Sequence, residues 1–268
     1  MKKRILIFST LFIAASLTAF SFIGDRHSTA TVTETPCKTI YTSVTPIAEI
    51  FKPPVLTDFF YDFGPRFNPI TKRDLANART VSDFIDEKEV ASMDGVRSTA
   101  VIIIKNDIQT DIRVFGKSER LTQEQLALIG AMEYSSNFLV QAEFHTKDAN
   151  AELKGENIYR PHMTVVPEKQ ASYDGGRDAL LDYFRKQNEK NIYNLDEEKL
   201  QPAKLHFTVT KNGTVEDVSL DRTSGYSNID ETMIRLANDL PGEWQPAENA
   251  KGEKVDQTLV VSFGIVGC

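Results

Sequence analysis

Apolar and polar residues alternate in several short stretches of this 268-residue chain, and helical spacing takes over between them. Residues 98–105 (Ser-Thr-Ala-Val-Ile-Ile-Ile-Lys) form a β-branched run that predicts a strand. Asn106-Asp107 predicts the turn, and residues 109–115 the return strand, where Ile112 and Val114 alternate with charged neighbours. Strands are also expected over 137–145 and 159–166. Leu75, Ala78, Val81 or Ser82, and Ile85 share one side of a predicted helix over 71–85, with Thr71 as cap and Asp74 three residues on. A second helix is expected from Thr122 to Met132.

The second half repeats this order. Residues 176–187 predict a helix whose buried stripe is Leu180, Leu181 and Phe184. Leu205, Phe207 and Val209 alternate along a strand over 203–210, Asn212-Gly213 supplies a hairpin turn, and 214–220 returns. A helix over 229–240, capped by Asn228 and ended by Pro241-Gly242, leads to a last strand over 257–265. The fold class expected is α+β: two small domains, each an antiparallel sheet with helices, over 46–166 and 167–268. The shared order fits two copies of one domain, and equally two unrelated domains of a common type.

Composition adds the leader and the compartment. Met1-Lys-Lys-Arg4 precedes residues 5–23, which carry no charge. Residues 1–24 read either as a cleaved signal peptide, with weak sites at Ala14-Ala15-Ser16 and Leu17-Thr18-Ala19, or as a membrane anchor. Both readings send the rest of the chain to the periplasm. Residues 25–45, rich in Ser and Thr, read as a flexible lead-in. Cys37 and Cys268 either pair with each other or stay as free or intermolecular thiols. The formal charge is −7, and an acidic surface of this kind argues against nucleic acid as a partner.

A search for catalytic constellations finds none. His27, His145, His162 and His206 have no metal-ligand spacing, and there is no GxSxG elbow. Gly175-Gly176 precedes a helix without a phosphate-binding pattern. Asp86-Glu87 and Glu197-Glu198 lie in polar segments, without the apolar surroundings that a catalytic carboxylate pair needs. The expectation is a protein that is not an enzyme and uses no metal or cofactor.

One ordered set of residues does carry a resemblance. Pro167, Gly175-Gly176, Ala179-Leu180, Phe207-Thr-Val209, Asn212-Gly213, Val215, Ser224-Gly225, Ile229-Asp230, Trp244 and Pro246-Ala247 together resemble the C-terminal domain of TonB-family energy transducers of the Bacteroidetes type. The block Phe60-Tyr-Asp-Phe-Gly-Pro-Arg66-Phe67 is similar to the amino-terminal half of such proteins in flavobacteria. The resemblance implies a non-enzymatic periplasmic protein. It would bind extended segments of TonB-dependent outer-membrane transporters by strand addition and take part in energy-coupled transport. An ExbB–ExbD type motor would be a partner if residues 5–23 are retained. The exposed edge strand is expected to be the last one, which makes Gln257, Leu259, Val261 and Phe263 the candidate partner-binding residues. With only 11 prolines and a folded segment where a stiff linker would stand, the alternative is a soluble envelope scaffold or sensor that has lost motor coupling.

Overall fold

A computed structural model describes residues 59–147, 153–193 and 195–267. The leader 1–24, the lead-in 25–45 and the pairing of Cys37 with Cys268 lie outside the described residues. In chain order the elements are β1 (Phe60–Gly64), β2 (Asn68–Thr71), α1 (Lys72–Asn77), a 3-10 turn (Val81–Phe84), α2 (Glu87–Ser92), β3 (Met93–Lys105) and β4 (Ile108–Gly116). Next come α3 (Gln123–Gly130), β5 (Asn137–Lys147), β6 (Leu153–Tyr159), β7 (His162–Val166), β8 (Ser172–Tyr173), α4 (Gly176–Asn188), β9 (Ala203–Val209) and β10 (Val215–Arg222). The chain closes with α5 (Ser227–Asn238), β11 (Trp244–Gln245), β12 (Ala247–Glu248), β13 (Lys254–Val255) and β14 (Gln257–Gly264). The fold is α+β, as the periodicity predicts.

Residues 51–268 form one compact unit holding two main sheets. The first is six-stranded, in the order β2-β7-β5-β3-β4, with β6 also paired to β5. The second is four-stranded, in the order β1-β14-β9-β10. Both halves trace one path. A hairpin (β3-β4 or β9-β10) is followed by a helix (α3 or α5). A third strand (β5 or β14) then lies antiparallel beside the first. Each sheet has its own core. Val81, Ile129, Phe138, Val140 and Val165 fill one. Leu180, Phe184, Phe207, Leu236, Leu259 and Phe263 fill the other.

Local chemistry sets several boundaries. The Thr71 side chain accepts from the Asp74 N–H and starts α1. The single helix expected over 71–85 stops at Asn77, however. The Asp83 carboxylate accepts from the Arg79 and Thr80 N–H groups, and Thr80 bridges to Arg120, so these residues bond outside a helical ladder. Thr122 and Gln125 form a reciprocal capping box on α3. Asn106 and Asp107 adopt φ of 51° and 61°, the left-handed pair that a two-residue hairpin requires. Pro161 has no N–H to give a ladder, and the strand expected over 159–166 is divided there into β6 and β7. Helix α5 starts at Ser227, so Asn228 lies inside its first turn rather than capping it. Asp230 instead reaches back to the buried Ser224 N–H (2.9 Å).

The domain boundary drawn at 166/167 does not follow the sheets, because β1 precedes the whole first sheet in sequence yet completes the second. Phe63 and Phe207 from this sheet, with Tyr173, surround Trp244 at ring-centroid distances of 5.8, 5.5 and 5.3 Å. The Trp244 ring is buried, and a Cβ on Gly213 (φ +81°) would fall 2.7 Å from its carbonyl oxygen. Trp244→Ala should therefore lower stability by about 3–5 kcal/mol. Trp244→Phe should lose less, because the buried indole N–H has no acceptor among the described residues. Denaturant midpoints of the two variants would measure both losses, and an unchanged midpoint for Trp244→Ala would contradict this packing.

Candidate functional site

The strand expected to offer an open edge is in the interior of its sheet. On one side of β14, Gln257 to Phe263 pair with Val209 to Ala203 of β9. On the other, Val260 to Gly264 pair with Gly64 to Phe60 of β1. Leu259, Val261 and Phe263 are buried in the core, each at most 1 % exposed. Gln257 is buried as well, and its side chain accepts from the Ala171 N–H (2.7 Å) and donates to Gln170 (3.1 Å). These four residues hold the sheet and its entry loop together, and they present no free edge.

In an antiparallel sheet the N–H and C=O of one residue point to the same side, and the side alternates along the strand. The Thr258 N–H donates to Ser135 Oγ of the first half (2.9 Å), away from β9. Val260, Ser262 and Gly264 therefore point their backbone groups toward β1, and Leu259, Val261 and Phe263 point theirs toward β9. Ser135, at φ +65°, thus caps the stretch of β14 that β1 does not reach.

The residues that occupy this edge come from the Phe60–Phe67 block, for which the sequence reading expected no strand. Phe59 and Tyr61 are buried, and Phe63 stacks on Phe207 at 6.1 Å. Their every-second-residue spacing is that of a strand, and it was the available signal. The intervening Asp62 faces outward and pairs with Arg177 of α4. Burial pushes the Tyr61 hydroxyl up to about 12, against a hydrogen bond from Asn188 Nδ2 (3.0 Å) and the charge of Arg185.

Below β1 the chain passes through a cluster of charges that the sequence did not reveal. Arg66 pairs with Asp107 (2.7 Å) and with Asp221. Asp107 also accepts from Lys204 (3.4 Å) and Arg222 (3.1 Å), while His206 Nδ1 lies 2.7 Å from Asp221. Asp107 is the tip of the β3-β4 hairpin, Arg66 lies in the connection from β1 to β2, and the others come from β9 and β10. The β10 register shifts between Leu220 and Arg222, and this bulge lets the adjacent Asp221 and Arg222 reach one cluster. Burial acts to raise the Asp107 carboxyl, but the hydrogen bond and charge of Arg66, with Lys204, outweigh it and hold it below the usual 3.8.

The other described histidines, His145 and His162, are not gathered. His162 packs on Phe67 at 5.1 Å, and His145 sits on β5 opposite Asp94. No group of three or more His, Cys, Asp or Glu among the described residues could hold a metal ion, and no helix among them is long and apolar enough to cross a membrane. Comparison with protein-family models, curated proteins and solved structures gives no match.

Two pH dependences follow. The folded pKa of Asp107 is depressed, so its contribution is complete above pH ~4 and disappears as pH falls through the folded value. Asp107→Asn should cost about 1–3 kcal/mol at neutral pH and flatten the acid limb of the stability profile, as read by chemical denaturation. The folded pKa of Tyr61 is raised, so its contribution is complete below pH ~10 and is lost toward pH ~12. Thermal midpoints of the wild type should fall across that interval more steeply than those of Tyr61→Phe.

Proposed function

We propose that the protein is a non-enzymatic periplasmic protein of the TonB-like kind. Its C-terminal module takes up extended segments of outer-membrane transporters by strand addition and so takes part in energy-coupled transport. The observation that carries this reading is β1. An extended segment from outside the contiguous unit of α4, β9, β10, α5 and β14 lies antiparallel on the edge of β14, with alternate side chains in the core. This is the geometry of β-augmentation, in which backbone bonds give affinity and alternate side chains give specificity. The sequence resemblance supplies the partner class, and the helix–hairpin–helix–strand order is the one that resemblance implies.

A second reading is favoured by the state of the edges. The edge strand β10 carries register shifts and a non-glycine residue, Asp217, at φ +54°, features that protect an edge from pairing. With β14 already filled, this is also what a soluble envelope scaffold that has lost motor coupling would look like.

A photo-crosslinking residue at Phe60 or Ser262, introduced into the native host, separates the two. The expected product joins the chain to an outer-membrane transporter. Adducts confined to soluble envelope proteins, together with an intact mass lacking about the first 20 residues, would overturn the transport reading in favour of the scaffold.

A further inference from the structure

The edge of β14 is filled by a strand that differs from every neighbour around it. In the first sheet the corresponding edge, that of β5, is filled by β7 and β6, which follow β5 directly in the chain. On β14 the occupant comes from the far end of the described sequence. It pairs over five residues, Phe60 to Gly64, against seven pairs between β14 and β9.

The outer side of β1 is partly obstructed. The Phe63 N–H donates to Asp62 Oδ1 (2.7 Å), and the Phe63 carbonyl accepts from Arg177 Nε (3.4 Å). Side chains therefore take up the outward backbone groups of Phe63, which a further strand would need. At the opposite end of the sheet, β10 carries register shifts against β9 and a left-handed residue at Asp217. The position β1 holds is the edge position where a ladder without register shifts forms.

We propose that β1 is a displaceable occupant of the β14 edge and the template of its partner. The partner is an extended peptide with aromatic side chains at alternate positions and a carboxylate between them. Tyr61 and Phe63 mark the two aromatic sockets, which Phe59 extends by one position. Asp62, facing Arg177, marks the outward acidic position. The inference rests on the strand-addition reading and names the chemistry of the ligand and the competitor built into the chain. Exchange conserves what folding gained, because a peptide of this pattern restores the ladder bonds and refills both sockets. Tethering gives β1 an effective concentration in the millimolar range, so a foreign peptide succeeds only by matching it closely or when β1 is loosened.

Two measurements on the full chain test this. In native-state hydrogen exchange, the amides of Val260, Ser262 and Gly264 face β1, and those of Leu259, Val261 and Phe263 face β9. The first set should exchange at least about tenfold faster than the second, through an opening smaller than global unfolding. Equal rates would show that β1 leaves only when the whole sheet unfolds, and the proposal would fail. In the second measurement, a fluorescent peptide spanning residues 57–66 is titrated against the wild type and against Tyr61→Ala. Binding to the variant should be at least about tenfold tighter, since the internal competitor is weakened. A peptide with serine in place of both aromatics should not bind. Equal affinities, or no binding to a folded variant, would overturn the proposal, and if the variant does not fold the exchange rates decide. Positive results here with no transporter crosslink would remove the transport reading and leave the displaceable strand standing. A transporter crosslink with equal exchange rates would do the reverse.

Discussion

The pairing of β1 with β14 holds the second sheet in its present form and fixes how the two halves of the chain are joined. Five residues from upstream of the first sheet supply the fourth strand of the second. The pairing places Tyr61 against Asn188 and Phe63 between Phe207 and Trp244. Burying a side chain of this size contributes about 1.5–3 kcal/mol, so these two aromatic residues matter to the core as much as to the edge. Because the chain must then run from β1 through Pro65 and Arg66 into β2, the two sheets are tied covalently at the point where they also meet through charges.

The charge cluster converts that tie into a defined contact. Asp107 sits at the tip of a tight hairpin, so its position is set by backbone geometry and not by a long flexible side chain. Three cations, Arg66, Lys204 and Arg222, converge on it, and Asp221 balances Arg66 from the other side. Such a cluster contributes modestly to stability, because desolvation offsets much of the attraction. Its larger consequence is specificity, since shifting one sheet against the other would leave several part-buried charges without partners. Ser135 adds a neutral contact of the same kind by accepting from the Thr258 N–H.

The proposed function turns on one edge. A sheet whose third strand receives an extended segment along its side has the geometry of peptide recognition, and here the chain itself provides the segment. The two roles of β1, completing a core and standing where a ligand would stand, are in tension. Ladder bonds and aromatic sockets favour retention, while short pairing and an entry from outside the module favour exchange.

The sequence by itself determined the elements and their order. Period-two and helical spacings place most of the strands and helices, including the Leu180-Leu181-Phe184 stripe and the Asn212-Gly213 turn, because local periodicity reports which face of an element is buried. The repeated hairpin–helix–strand order was legible for the same reason. Short elements such as α2 were not, nor was the break after Asn77, where Asp83 draws off the Arg79 and Thr80 N–H groups and Thr80 pairs with the distant Arg120. The candidate site was misplaced on the same principle. The alternation of Leu259, Val261 and Phe263 shows that β14 has a buried face, but it carries no information on what lies beside the strand in the plane of the sheet. Only the tertiary structure decided that, by bringing residues 60–64 alongside residues 260–264. Backbone hydrogen bonding between strands is nearly independent of side-chain identity, and so the sequence records the faces of a sheet far better than its neighbours.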